Sequence, residues 1–178
     1  MSKHMPKVII ALVFCGLISI AAIAFAEEPV KTITAQEAFA MLKGLAGEWE
    51  GKAMDKDNGP AITVTYRVTA NNSVVLETLF PGTEHEMLTL YHLDNGKLVL
   101  THYCAMGNQP RMELDPSSSA DRLVFNFAGG SNLDPARDVH MHQGRVCLVA
   151  PDRLENEWDT FRGTEKIDTK KFFLSRKK

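Results

Sequence analysis

From Ile62 onward the chain reads as short alternating segments separated by tight-turn residues, a pattern that leaves few folds open. Ile62-Thr63-Val64-Thr65-Tyr66-Arg67-Val68 alternates strictly between apolar and polar positions, as a strand with one buried face does. Ala70-Asn71-Asn72-Ser73 supplies residues that tolerate positive φ, and residues 74–80 return. Pro81-Gly82-Thr83 turns into residues 85–93, and Asp94-Asn95-Gly96 gives the sharpest hairpin signal, leading into residues 97–104. Further strands are predicted over 111–114, 123–127, 140–149, 154–161 and 167–176. Asp115-Pro116-Ser117-Ser118-Ser119 is a surface turn, and residues 105–110 and 129–135 form two irregular loops. About nine or ten short antiparallel strands result, with no helical period among them. Such a meander loses its exposed edges by closing on itself, so the expected fold is all-β, a single up-and-down antiparallel β-barrel.

Ahead of the strands, Thr34 is placed to cap a short helix and Glu37 to reach back to it. Phe39, Leu42 and Leu45 would form its buried stripe, covering a barrel mouth or side, with Gly44 and Gly47 ending it. Earlier still, Lys3 and Lys7 precede an uncharged run over residues 8–26 that ends in Ala24-Phe25-Ala26 before Glu27-Glu28-Pro29. That is the layout of a signal peptide over residues 1–26, predicting a periplasmic or extracellular domain over 27–178. An uncleaved anchor is the alternative, since the run approaches the roughly 20 residues of a membrane span. Phe14 is too bulky for Cys15 to be a lipidation site.

Cleavage removes two of the 20 basic residues and none of the 22 acidic ones, leaving a charge near −4. With no basic patch beyond Arg176-Lys177-Lys178, nucleic acid is not an expected partner. Roughly 150 residues suffice for one core. Cys104 and Cys147 remain, too few for a disulfide scaffold.

Strand alternation sorts the candidate chemistry. Leu98, Leu100, His102 and Cys104 share one face, and His140, His142, Val146 and Leu148 share another, so all four reactive side chains are expected to look inward at one mouth. Cys147 falls on the opposite face, against a Cys104–Cys147 disulfide, and a bulge at Gly144 would overturn this parity. His140 and His142 at i, i+2 can chelate a zinc-like ion completed by His102, Cys104 or Asp138; equally, they can be a satisfied polar cluster. Asn108, Gln109 and Asn132 can bind a ligand head group or cap their own loops. Glu77 sits mid-strand, buried against His85 or Tyr91, or turned to solvent. For nucleophilic catalysis by Cys104, His102 runs alongside rather than at the sulfur, leaving a base from another strand such as His140, and no phosphate loop or serine elbow is present.

Gly47-Glu48-Trp49 before the first strand and Phe172-Phe173-Leu174-Ser175-Arg176 in the last resemble lipocalin-like (calycin) barrels. The resemblance implies that Gly47 lets backbone pass close by, that Trp49 plugs the closed end, and that Arg176 stacks on its indole. The segments Pro81-Gly82-Thr83-Glu84-His85-Glu86-Met87, Thr101-His102-Tyr103-Cys104, Gly107-Asn108-Gln109-Pro110-Arg111 and Asp138-Val139-His140-Met141-His142 resemble a bacterial family of secreted lipocalin-like domains. That likeness implies a barrel with a binding mouth and brings no reaction. Related barrels include the nitrobindin type, which binds haem, and a periplasmic zinc carrier that uses histidines. Lys52-Ala53-Met54 after Gly51 departs from the nitrobindin pattern, which counts against haem.

The expectation is therefore an exported, non-enzymatic barrel that binds a small, partly apolar molecule. Leu98, Leu100, Val146 and Leu148 would line it, and His102, Cys104, Asn108, Gln109, Asn132, His140 and His142 would grip the polar end. The alternative is a metal-binding periplasmic protein or metal-dependent hydrolase using His140 and His142. A third reading gives the same cluster acid–base work.

Overall fold

The computed structural model describes residues 32–54 and 56–178. The leader predicted over residues 1–26 lies outside the described residues.

Thr34 caps helix α1 (Ala35–Gly44). Its hydroxyl accepts the Glu37 N–H at 3.2 Å, and the Glu37 carboxylate accepts the Thr34 N–H at 2.9 Å. Two amides that the helix start leaves unpaired are thus satisfied reciprocally. Ala38, Phe39 and Leu42 bury the inner stripe, and Leu45 continues it past the helix end.

Ten strands follow: β1 (Gly47–Ala53), β2 (Ala61–Thr69), β3 (Val74–Leu79), β4 (Met87–Asp94), β5 (Lys97–Tyr103), β6 (Gln109–Leu114), β7 (Arg122–Ser131), β8 (Val139–Ala150), β9 (Arg153–Arg162) and β10 (Glu165–Arg176). Each pairs antiparallel with the next, and β10 returns to β1, closing an up-and-down barrel. Alternation decides which side chains enter it. Ile62, Val64 and Tyr66 are buried on β2, as are Val75, Glu77 and Leu79 on β3. Asn95 and Gly96 have φ of 49° and 82°, the positive pair that a two-residue hairpin matching the strand twist requires.

One predicted loop is instead sheet. Gly129-Gly130-Ser131 belongs to β7, whose register with β6 shifts between Pro110 and Met112. A Cβ at Gly130 would come within 2.9 Å of the Gln109 carbonyl oxygen, so glycine is what permits this close pairing.

The end of the barrel next to α1 is filled. Trp49 is fully buried, and its indole N–H donates to the Leu45 carbonyl at 2.9 Å. The Arg176 guanidinium lies 4.3 Å over that ring and donates to the Ala46 and Gly44 carbonyls at 2.8 and 3.0 Å. Gly47 makes room with φ 130°, where a Cβ would sit 3.2 Å from the guanidinium. Leu98, Leu100 and Val146 belong to the packed core and do not line the cavity at the other end of the barrel. Leu148 also packs against that core.

Candidate functional site

A cavity of about 260 Å³ opens at the other end, among the last residues of β1 and β3 (Ala53, Leu79) and the first of β4 (Met87). Met54, Phe80, Met141 and Phe172 add apolar wall, His102 and Trp158 contribute the imidazole and indole, and Lys170 stands at the edge.

Register explains how His102 comes to be there. Tyr66 pairs with Glu77, Glu77 with Thr89, and Thr89 with His102, so one inward row crosses four neighbouring strands. Glu77 has no exposed surface. It accepts hydrogen bonds from the Tyr66 hydroxyl at 2.6 Å, the Tyr91 hydroxyl at 2.9 Å and the Asn156 amide at 3.1 Å. Burial pushes its carboxyl above the ordinary range, while these donors and the Thr89 hydroxyl oppose that rise. Burial and the Glu77 charge push both tyrosine hydroxyls well above theirs. Of the two partners predicted for Glu77, Tyr91 is in place; His85 is exposed and 3.7 Å from Glu84.

The same row holds the imidazole: Thr89 Oγ1 lies 3.0 Å from His102 Nδ1, and the Thr89 side chain also hydrogen-bonds the Glu77 carboxyl. His102 is 1% exposed, and burial pushes its pKa down to about 4. It is therefore neutral at neutral pH.

Trp158 reaches His102 from β9, with ring centroids 4.7 Å apart. It has the room because its cross-strand partner is Gly144; a Cβ there would meet the indole at 3.1 Å. His102 Nε2 and Trp158 Nε1 are both buried without a hydrogen-bond partner in the protein. Neither atom is exposed, so the surface the two rings present to the cavity is apolar.

Parity along β8 is where the expectation fails. The register with β9 shifts between Met141 and Gln143, with His142 the extra residue. Met141 therefore takes the cavity wall, and His140 pairs instead with Phe161. His140 and His142 share a hydrogen bond of 3.0 Å, and His142 stacks between Phe127 and Phe161 at 5.0 and 4.4 Å. His102 is thus separated from the histidine pair: it lines the cavity and they do not. Among the described residues, no three His, Cys, Asp or Glu side chains are grouped to hold a metal ion.

The loop residues do not reach the cavity wall either. Asn108 donates to the Val139 carbonyl at 2.8 Å and ties the β5–β6 loop to β8. Gln109 accepts from Asn132 at 3.0 Å and donates to the Gly107 carbonyl, so these two amides satisfy local partners. Cys104 is buried outside the cavity, Cys147 is half-buried, both are free thiols, and burial raises both pKa values. The sequence reading missed Tyr66, Thr89, Asn156 and Trp158. Leu154, Asn156, Trp158 and Thr160 alternate with charged residues, and that period carried the signal.

No family model matches the chain, and no curated protein matches it in sequence. Among solved structures, a protein of unknown function of the DUF3598 family from Nostoc punctiforme is similar, at 13% identity and a TM-score of 0.49. The match covers 75% of this chain and 48% of that one, so the chain spans about half of its length.

Proposed function

We propose that this chain is an exported, non-enzymatic barrel of the lipocalin-like kind that holds a small, largely apolar molecule in the cavity beside His102. The observation that carries the reading is the cavity itself, about 260 Å³ with an apolar wall, at one end of a closed barrel whose other end is plugged. The volume lies just under the roughly 300–1,000 Å³ of drug-sized pockets, which suits a small ligand. Among the described residues, the cavity wall holds no hydroxyl, thiol or carboxylate to act with the imidazole, which supports binding over catalysis. The Trp49–Arg176 clasp supports the lipocalin-like assignment, and the Ala24-Phe25-Ala26 leader pattern supports export.

The test is native mass spectrometry on protein recovered from the exported fraction, followed by titration with small apolar probes read by tryptophan fluorescence. A small organic adduct, or saturable probe uptake lost on filling the cavity with Ala53→Phe, is expected. Bare protein that takes up no probe would sink the proposal.

A further inference from the structure

We infer that Phe80 sets the size of the molecule this barrel accepts: its ring is the partition between the cavity beside His102 and a second cavity, and it limits the ligand to one small ring or a short chain. This rests on the binding role proposed above and goes beyond it by naming the residue that decides specificity.

Three observations carry the inference. First, Phe80 stands between two cavities. The second holds about 190 Å³ and is lined by Ala61, Ile62 and Thr63 at the start of β2, and by Pro81 and Thr83 in the turn after β3. Among the described residues, Phe80 alone lines both this cavity and the first.

Second, the backbone holds Phe80 where a bulky residue rarely goes. Its φ is 53°, in the left-handed region that crowds a Cβ against the following carbonyl. Three hydrogen bonds keep it there. Its N–H donates to the Thr63 carbonyl at 3.1 Å, and its own carbonyl accepts the Thr83 N–H at 3.2 Å and the Thr83 hydroxyl at 2.8 Å. Conformations of this kind persist only where the surroundings over-determine them, and they cluster at ligand clamps.

Third, the ring is braced. It meets Phe172 edge to face, with centroids 6.1 Å apart and planes at 82°, the arrangement that aromatic pairs favour. Phe172 is itself buried in the core and lines the first cavity. A ring held from the backbone and against a core neighbour limits a ligand instead of swinging aside for it. An engineered cavity of about 150 Å³ in another protein admits benzene, so about 260 Å³ takes one substituted ring or a chain of similar bulk while the partition stands.

The experiment titrates 1-alkanols from butanol to dodecanol into the full chain by calorimetry, a series with one head and a lengthening tail. Each methylene buried in the cavity should tighten binding about fourfold, and one left in water adds nothing. Affinity should therefore climb in the wild-type protein and level off once the cavity is full. In Phe80→Gly the climb should continue into longer chains, with the longest alkanols bound about tenfold or more tightly than by the wild type, the effect of two further buried methylenes. Glycine suits a φ of 53°, so the turn keeps its backbone. Should that variant not unfold cooperatively in urea, Phe80→Asn takes its place, because asparagine also accepts the left-handed region. Phe80→Leu retains most of the bulk and should level off within one carbon of the wild type.

Levelling off at the wild-type chain length in a cooperatively folding Phe80→Gly or Phe80→Asn protein would overturn the assignment of Phe80 and leave the binding role standing. A wild-type climb that runs unbroken to dodecanol would also overturn it. Uptake of no alkanol by the wild-type protein would remove the binding role and this inference together.

Discussion

Removing the Trp49 indole tests the reasoning about the filled end of the barrel, and the cost divides into separable parts. Trp49 is fully buried. Truncation to Ala therefore forfeits a large aromatic from the packed core, worth about 3–5 kcal/mol. Trp49→Phe keeps most of the ring but strands the Leu45 carbonyl, for about 1–2 kcal/mol. Arg176→Ala loses two hydrogen bonds to carbonyls at the end of α1 and the stack on the indole, about 1–2 kcal/mol because the group is partly solvated. The stack is common to both single losses, so the Trp49→Ala/Arg176→Ala protein should fall short of additivity by about 1 kcal/mol. Urea unfolding of the four proteins at constant m-value measures this, and Trp49→Ala should also lower Tm by roughly 10–15 °C. Additivity within about 0.3 kcal/mol would show that the guanidinium sits over the ring without energetic consequence. A Trp49→Ala cost under about 1 kcal/mol would refute the plugging role itself.

A Cβ at Gly51 would lie 1.8 Å from the Phe173 carbonyl oxygen, so Gly51→Ala must part β1 from β10. Soluble, cooperatively folding protein should not accumulate, and a near wild-type urea midpoint would contradict the register described for that pair. The unfolded imidazole takes its proton near pH 6.5 and the folded one not until about 4, so His102 contributes stability that is full above pH 6.5 and declines as pH falls through that window. The difference amounts to about 3 kcal/mol, and His102→Phe should flatten the wild-type slope between pH 7 and 4.5; parallel slopes would count against a buried neutral imidazole. Glu77, raised by burial, acts in the opposite sense and is present in both proteins. His142→Ala should cost about 1–2 kcal/mol through its lost stacking on Phe127 and Phe161, yet change probe affinity in the cavity less than twofold. A large affinity loss would return the histidine pair to the binding site.

Much of the architecture was legible in local chemistry. Thr34 and Glu37 announce a helix because the capping box is written within four residues, and Asn95-Gly96 announces a hairpin because few residues accept two successive positive φ angles. Strict alternation in residues 62–68 identified the buried face of β2 for the same local reason. The inward set on β8 was not legible. A single extra residue at His142 reverses parity, and a bulge is decided by the pairing of β8 with β9, far along the chain. Glu77 shows the same boundary from the other side. Its place in a strand could be read, but its burial depends on Tyr66, Tyr91 and Asn156, which only closure of the barrel brings within reach. The sequence by itself determined the helix, the tight turns and most of the strand residues, because those follow from neighbours a few residues apart. The tertiary structure alone decided that His102 meets Trp158, that Met141 displaces the histidine pair from the cavity, and that Lys170 stands at its edge. Those contacts depend on register summed around ten strands, and no local stretch of the chain encodes that sum.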